Sequence, residues 1–158
     1  MARLALVTKI SPEVRPFQTG DVQRLVNRDA PGQDMTMTIQ QANAGPAFTA
    51  WVGSQPIGCA GVVLAWPGVG MAWMAVSEEI AEHGLWLTRI VRAFLRDIIR
   101  ANHLHRLEAV ALEESTRNKQ WLAVLGFAFE GGTAHKYLPD KRAVQRFELV
   151  EGMDTWPM

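Results

Sequence analysis

The sequence predicts a mixed α/β domain, an α+β mixed sheet with helices on its faces. Three observations predict it. Ala47–Val76 holds three apolar, β-rich runs separated by Gly53-Ser54-Gln55 and Pro67-Gly68, which reads as an antiparallel meander. Leu87, Ile90, Val91, Phe94, Leu95, Ile98 and Ile99 then follow the series i, i+3, i+4, i+7, i+8, i+11, i+12, the apolar stripe of an amphipathic helix. A strand-like run, Arg106–Leu112, comes soon after. A helix joining two neighbouring strands implies a crossover and locally parallel pairing.

Each element has a local reason. Leu4–Ile10 alternates weakly and reads as an opening strand, and Pro12 and Pro16 break it, so the segment after it reads as loop. Thr19-Gly20-Asp21 opens a short helix with Val22, Leu25 and Val26 at helical spacing. Asp29–Asp34 is a loop whose last residue caps a second short helix over Met35–Ala44, with Met35, Ile39 and Ala42 on one face. Asn43-Ala44-Gly45-Pro46 ends it. The meander strands are Ala47–Val52, Pro56–Leu64 and Val69–Val76, and Gly58 and Gly61 in the middle one mark a bulge or a close backbone approach. Ser77–Gly84 is a polar connector into the long helix, which ends near Asn102 and carries Thr88, Arg89, Arg92, Arg96, Asp97 and Arg100 on its polar face. Ser115-Thr116 caps a helix over Arg117–Leu125, and Gly126 stops it as a left-handed residue. Phe127–Glu130 and Ala143–Leu149 read as two late strands. The order is β-αα-βββ-α-β-α-ββ, with residues 1–150 as one domain and 151–158 as a tail carrying Trp156.

Composition bounds the function. The 158 residues are 48% hydrophobic and 20% charged, enough apolar content for a core. Lys plus Arg and Asp plus Glu are both 16, so bulk charge does not suit a protein that coats nucleic acid, although a local patch does not need it. The single Cys59 excludes an internal disulfide framework and a multi-cysteine zinc site, and inside an apolar strand it reads as a small core residue. No apolar run reaches the roughly 18 residues of a membrane span. The first nine residues are too short and polar for a secretory signal. The expected setting is cytoplasmic. His103 and His105 stand two apart without further converging ligands, so no metal is expected, and a helix end favours a histidine there through its dipole. The arginine stripe of the long helix suits phosphate, an acidic partner or nucleic acid, although such a stripe is more often a solvated face.

The element order resembles the GNAT superfamily of acetyl-CoA-dependent N-acetyltransferases over roughly Leu4 to Leu149. Three stretches carry the resemblance: the hairpin Trp51–Gly58, Met74-Ala75-Val76 with the connector and helix that follow, and Asn118–Gly131, whose Leu125-Gly126-Phe127-Ala128-Phe129-Glu130-Gly131 is similar to the family's lGFxxEG segment. The resemblance implies that acetyl-CoA lies where the Val69–Val76 and Arg106–Leu112 strands part. Its pantetheine would pair with the open strand edge at Met74 and Val76. Its pyrophosphate would sit on the amides that start the next helix, around His83, Gly84 and Leu85, with Arg89 nearby. The family's loop has the form Gln/Arg-x-x-Gly-x-Gly/Ala, aligned here with Ala81-Glu82-His83-Gly84-Leu85-Trp86. Gly84 matches, Ala81 and Trp86 depart, and Glu78, Glu79 and Glu82 bring negative charge to a site for a polyanion. The position of the family's proton-donating tyrosine is Leu122, and the chain's one tyrosine, Tyr137, comes later. Glu108, Glu113 and Glu114 are the nearest acids, with Glu113 the candidate general base and solvated loop acids the alternative.

Two functions follow from the resemblance. One is an acetyl-CoA-binding N-acetyltransferase acting on the amine of a small molecule or a protein. The other is a non-catalytic GNAT-fold assembly protein whose partners are protein subunits, its own copies or others. Acetyltransferase-like virion proteins of tailed phages are the model for the second. Trp66 and Trp156, hard to bury in one domain, suggest an oligomer.

Overall fold

The computed structural model describes residues 11–26 and 34–157. The strand expected over Leu4–Ile10 and all but the end of the Asp29–Asp34 loop lie outside the described residues. Among those described, seven strands form one mixed sheet in the order β1-β2-β3-β4-β5-β7-β6. The strands are β1 (Pro12–Pro16), β2 (Ala47–Val52), β3 (Gln55–Trp66), β4 (Val69–Val76), β5 (Arg106–Leu112), β6 (Ala128–Ala134) and β7 (Val144–Val150). The helices are α1 (Thr19–Val26), α2 (Met35–Asn43), α3 (Gly84–Ala101) and α4 (Thr116–Val124).

β1 corrects the sequence reading, which has its residues as loop. Proline lacks an N–H and fits a strand only at an end or an edge. Pro12 and Pro16 are the two ends of β1, and among the described residues β1 is an edge strand paired only with β2. β3 runs past its expected end because a bulge between Leu64 and Trp66 lets it stay paired with β4. The Ser77–Gly84 connector is a 3₁₀ helix over Glu78–His83 that runs directly into α3. β6 extends beyond Glu130 through Gly131 and Gly132, both at positive φ (112° and 72°), across an irregular register with β7.

Local signals place the other ends. Asp34 caps α2 by accepting the Met37 N–H at 2.8 Å, and Ser115 caps α4 through Asn118 N–H at 3.3 Å. Gly126 takes φ 101° after α4. Gly68 turns β3 into β4 at φ 83°, and a Cβ there would collide with the His105 imidazole. His105 and Arg106 in turn both donate their backbone N–H to the Gly68 carbonyl, tying the start of β5 to the start of β4.

The core has a layer on each face of the sheet. α3 and α4 cover one face with Leu95, Ile98, Ile99, Leu122 and Leu125 against Val62, Leu107, Ala109 and Phe147. Phe94 stacks on Phe48 with centroids 4.1 Å apart. α1 covers the other face with Val22 and Leu25 against Cys59 and Ala75, joined by Ile39 of α2. Trp156 of the tail packs on the α3 layer, and Thr155 Oγ1 donates to the Gly126 carbonyl at 2.7 Å. Trp66 is exposed, at 64%.

Candidate functional site

β4 and β5 run parallel but pair only at their beginnings, Val69 with Arg106, Gly70 with Leu107 and Met71 with Glu108. Beyond Met71 no β5 residue faces β4. β5 stays paired with β7 along its whole length, and β4 stays paired with β3 through Val76. The gap therefore opens between these two strands alone, towards their C-terminal ends. One side of it is a strand edge, Ala72–Val76, whose inter-strand amides and carbonyls on that side have no strand partner. Both strands lead out of the open end, β4 into the 3₁₀ helix and α3, β5 into the loop that carries Glu113.

A cavity of about 210 Å³ lies over this gap and under α3. Its wall is largely apolar: Phe48, Ala72 and Met74 on the sheet, Ile90 and Phe94 on α3, Leu122 on α4. Small side chains at Ala50, Ala60, Ala109 and Ala111 leave the room. Asn118 is a polar side chain on the wall that the sequence reading did not single out. The signal was available, because Asn118 and Leu122 stand four apart on one helix and share a face.

Solved structures share this architecture. Ard1 from Thermoplasma volcanium superposes with a TM-score of 0.74 at 12% identity, over 91% of this chain and 100% of that one. The ribosomal-protein-S18-alanine N-acetyltransferase from Escherichia coli superposes with a TM-score of 0.69 at 15% identity, over 90% and 96%. A GNAT family acetyltransferase from Elizabethkingia anophelis with acetyl-CoA bound gives a TM-score of 0.67 at 14% identity, over 88% and 97%. The chain has the GNAT fold. No family model and no curated protein sequence matches it.

Within the GNAT fold the expected residues fall as follows. Met74 and Val76 lie on the splayed edge and line the cavity. His83 stands at the N-terminal boundary of α3, half-buried, where the 3₁₀ helix runs into α3, and its side chain makes no capping bond. Gly84 has ordinary helical angles (φ −56°, ψ −41°), and a Cβ built there meets nothing within 4 Å. Leu85 is 81% exposed. Trp86 is half-buried and forms part of the cavity wall. Arg89 is exposed and lines a separate groove with Arg92 and Arg96.

The candidate acids separate. Glu108 is held by Arg106 at 2.8 Å, and Arg106 also bonds Glu148 at 2.5 Å and Glu130 at 2.8 Å. Glu113 is exposed after the end of β5, and its Oε1 accepts from Thr133 Oγ1 at 3.3 Å. Glu114 pairs with Arg142 at 3.6 Å. Leu122 is buried and has no proton to give. Tyr137 is 43% exposed in the β6–β7 connection. Among the described residues no group of three or more His, Cys, Asp or Glu could hold a metal ion, and no helix is long and apolar enough to cross a membrane.

The residues present fit a CoA thioester. The open edge suits an added strand of pantetheine amides, and the cavity suits its apolar part. Gly84 is a glycine that neither backbone angle nor packing requires, at the start of an 18-residue helix with no acid in its first turn. The acids of the 3₁₀ helix oppose a polyanion, and the positive end of the α3 dipole favours it.

Proposed function

We propose that this chain is a GNAT-type N-acyltransferase that takes acetyl-CoA and transfers the acetyl group to an amine of a small molecule or a protein. The observation that carries the reading is the β4–β5 splay, an unpaired strand edge beside an apolar cavity and a helix start. Bound acetyl-CoA supplies an activated acyl carbon. The chain's own residues do the rest. Backbone groups of Met74–Val76 orient the pantetheine arm, and the amides from His83 to Leu85 hold the pyrophosphate. The cavity wall keeps water from the thioester. Glu113, in the loop that follows β5, takes the proton of the attacking amine, directly or through water, once its carboxylate leaves Thr133 of β6. Leu122 cannot protonate the departing thiolate, so that proton comes from solvent. The acidic 3₁₀ helix and Leu122 support a second reading, a GNAT fold kept for assembly without chemistry. No feature of the described residues supports a virion component.

Calorimetric titration with acetyl-CoA, and with CoA for comparison, tests the reading. A micromolar Kd is expected. Gly84→Val should weaken binding by roughly tenfold or more with folding intact, because nothing in the fold occupies that position and a β-branched residue costs an exposed helix only tenths of a kcal/mol. Trp86→Gly should tighten it by opening backbone approach to the phosphates. No heat at millimolar ligand in folded protein sinks the enzyme reading in favour of assembly.

A further inference from the structure

The polar face of α3 builds a second concavity that the acyl-transfer reading does not use. Arg89, Arg92 and Arg96 line a groove of about 340 Å³. Its opposite wall is the C-terminal tail, Thr155 and Pro157. Leu125 and Leu149 lie at its base, both buried in the core, so the floor is fixed. The tail wall is fixed too, by the Thr155–Gly126 bond and by Trp156 packed on the α3 layer. Four elements (α3, the end of α4, β7 and the tail) thus form one preorganised depression.

Its charge is one-sided. Among the described residues no carboxylate lines it. Asp97 and Asp154 are exposed neighbours outside the lining. Arg92 turns its guanidinium onto the Val124 carbonyl. Arg89 and Arg96 are exposed and have no hydrogen bond or ion pair among the described residues. In a chain with 16 acidic and 16 basic residues, this unpaired local excess is an asymmetry of placement.

Spacing and floor narrow the ligand. Seven residues of helix separate Arg89 from Arg96, roughly 10 Å along the axis. An extended peptide advances about 3.3 Å per residue and covers the distance in three. Leucines are part of the lining beside the cations, which suits an apolar side chain more than a sugar–phosphate backbone. The groove lies on the outer side of α3 and shares only Leu95 and Leu125 with the lining of the cavity over the splay. We infer that the groove between α3 and the C-terminal tail docks an acidic segment of a partner protein, with two carboxylates on Arg89 and Arg96 and an apolar side chain between them on the Leu125–Leu149 floor.

Fluorescence polarisation of a fluorescein-labelled decapeptide of glutamate pairs alternating with leucine tests this on the full chain. Micromolar binding that weakens with salt is expected. Glutamine in place of every glutamate, or either of the charge reversals Arg89→Glu and Arg96→Glu, should weaken it by roughly tenfold. The two reversals leave folding intact, since neither side chain is bonded in the fold, and thermal melts check this. Saturating acetyl-CoA should not displace the peptide. Equal binding of the glutamine peptide, indifference to both reversals, displacement by acetyl-CoA, or tighter binding of a ten-nucleotide oligo-dT each overturns the inference. The last two would give the groove to the acyl donor or to nucleic acid. Failure here leaves the acetyl-CoA titration unaffected, so the two readings fail separately.

Discussion

Cys59 shows how one residue's chemistry is set by its neighbours. Thr49 is fully buried, and its single hydroxyl proton goes to Asp21 Oδ2 at 2.7 Å. The 3.6 Å contact between Thr49 Oγ1 and Cys59 Sγ therefore has the thiol donating. Asp21 also accepts the Gln18 N–H at 2.9 Å, which satisfies a carboxyl buried under α1. Burial pushes the Cys59 thiol up to about 11, and the nearby Asp21 charge adds to the rise. The sign of the linkage follows. An unfolded thiol ionises near 9.0 while the native one keeps its proton to about 11, so this contribution to stability is whole below pH 9 and is lost as pH rises through 11. Urea midpoints measured across that window should fall, and Cys59→Ala should remove a part of the slope worth roughly 2–3 kcal/mol. An identical slope in the variant would show that Cys59 does not titrate differently on folding. The sequence reading of Cys59 as a core residue holds; its hydrogen-bond chain depends on Asp21 and Thr49, far from it in sequence.

At the scale of elements, Arg106 ties three strands. It sits on β5 beside Glu108, reaches Glu148 on β7 at 2.5 Å and Glu130 on β6 at 2.8 Å. These contacts are only partly exposed and share one guanidinium, so they are worth more than isolated surface pairs. Arg106→Met leaves three carboxylates facing one another and should cost about 1–3 kcal/mol at neutral pH. Chemical denaturation at low and high salt checks it: screening weakens ion pairs that are partly exposed, and a loss that stays constant with salt would mean that Arg106 contributes packing alone. The same cluster removes Glu108 from the candidate bases and leaves Glu113. Edge position decides the fate of β1 in a comparable way. Pro12 and Pro16 read as strand breakers from sequence, and they break nothing at the two ends of an edge strand.

At the scale of the whole molecule, one gap in one sheet carries the functional reading, so binding there should stabilise the entire fold. Acetyl-CoA at roughly 100 times its Kd should add about 2.7 kcal/mol, a rise in Tm of about 5–10 °C for a domain of this size. Gly84→Val should lose most of that rise while keeping the unliganded Tm. A rise of equal size in the variant would place the ligand elsewhere.

The sequence by itself determined most of the fold and little of the site. Helix period, alternating apolar runs and turn residues are local quantities, and they placed α1 to α4, the meander, β5 and the two late strands within a few residues. The places of Met74 and Val76 on β4 and of Gly84 at the start of α3 were legible because an element order and a motif marked them. The tertiary structure alone decided how far β4 and β5 stay paired, which is set by packing across the sheet and leaves no local signature. It also decided that Arg89 lines the groove with Arg92 and Arg96, that Asn118 lines the cavity, and that Arg106 claims Glu108. A side chain's own sequence neighbourhood gives its face on a helix or strand. What stands opposite that face is fixed only when distant segments pack, and the chemistry of each site here depends on such an opposite partner.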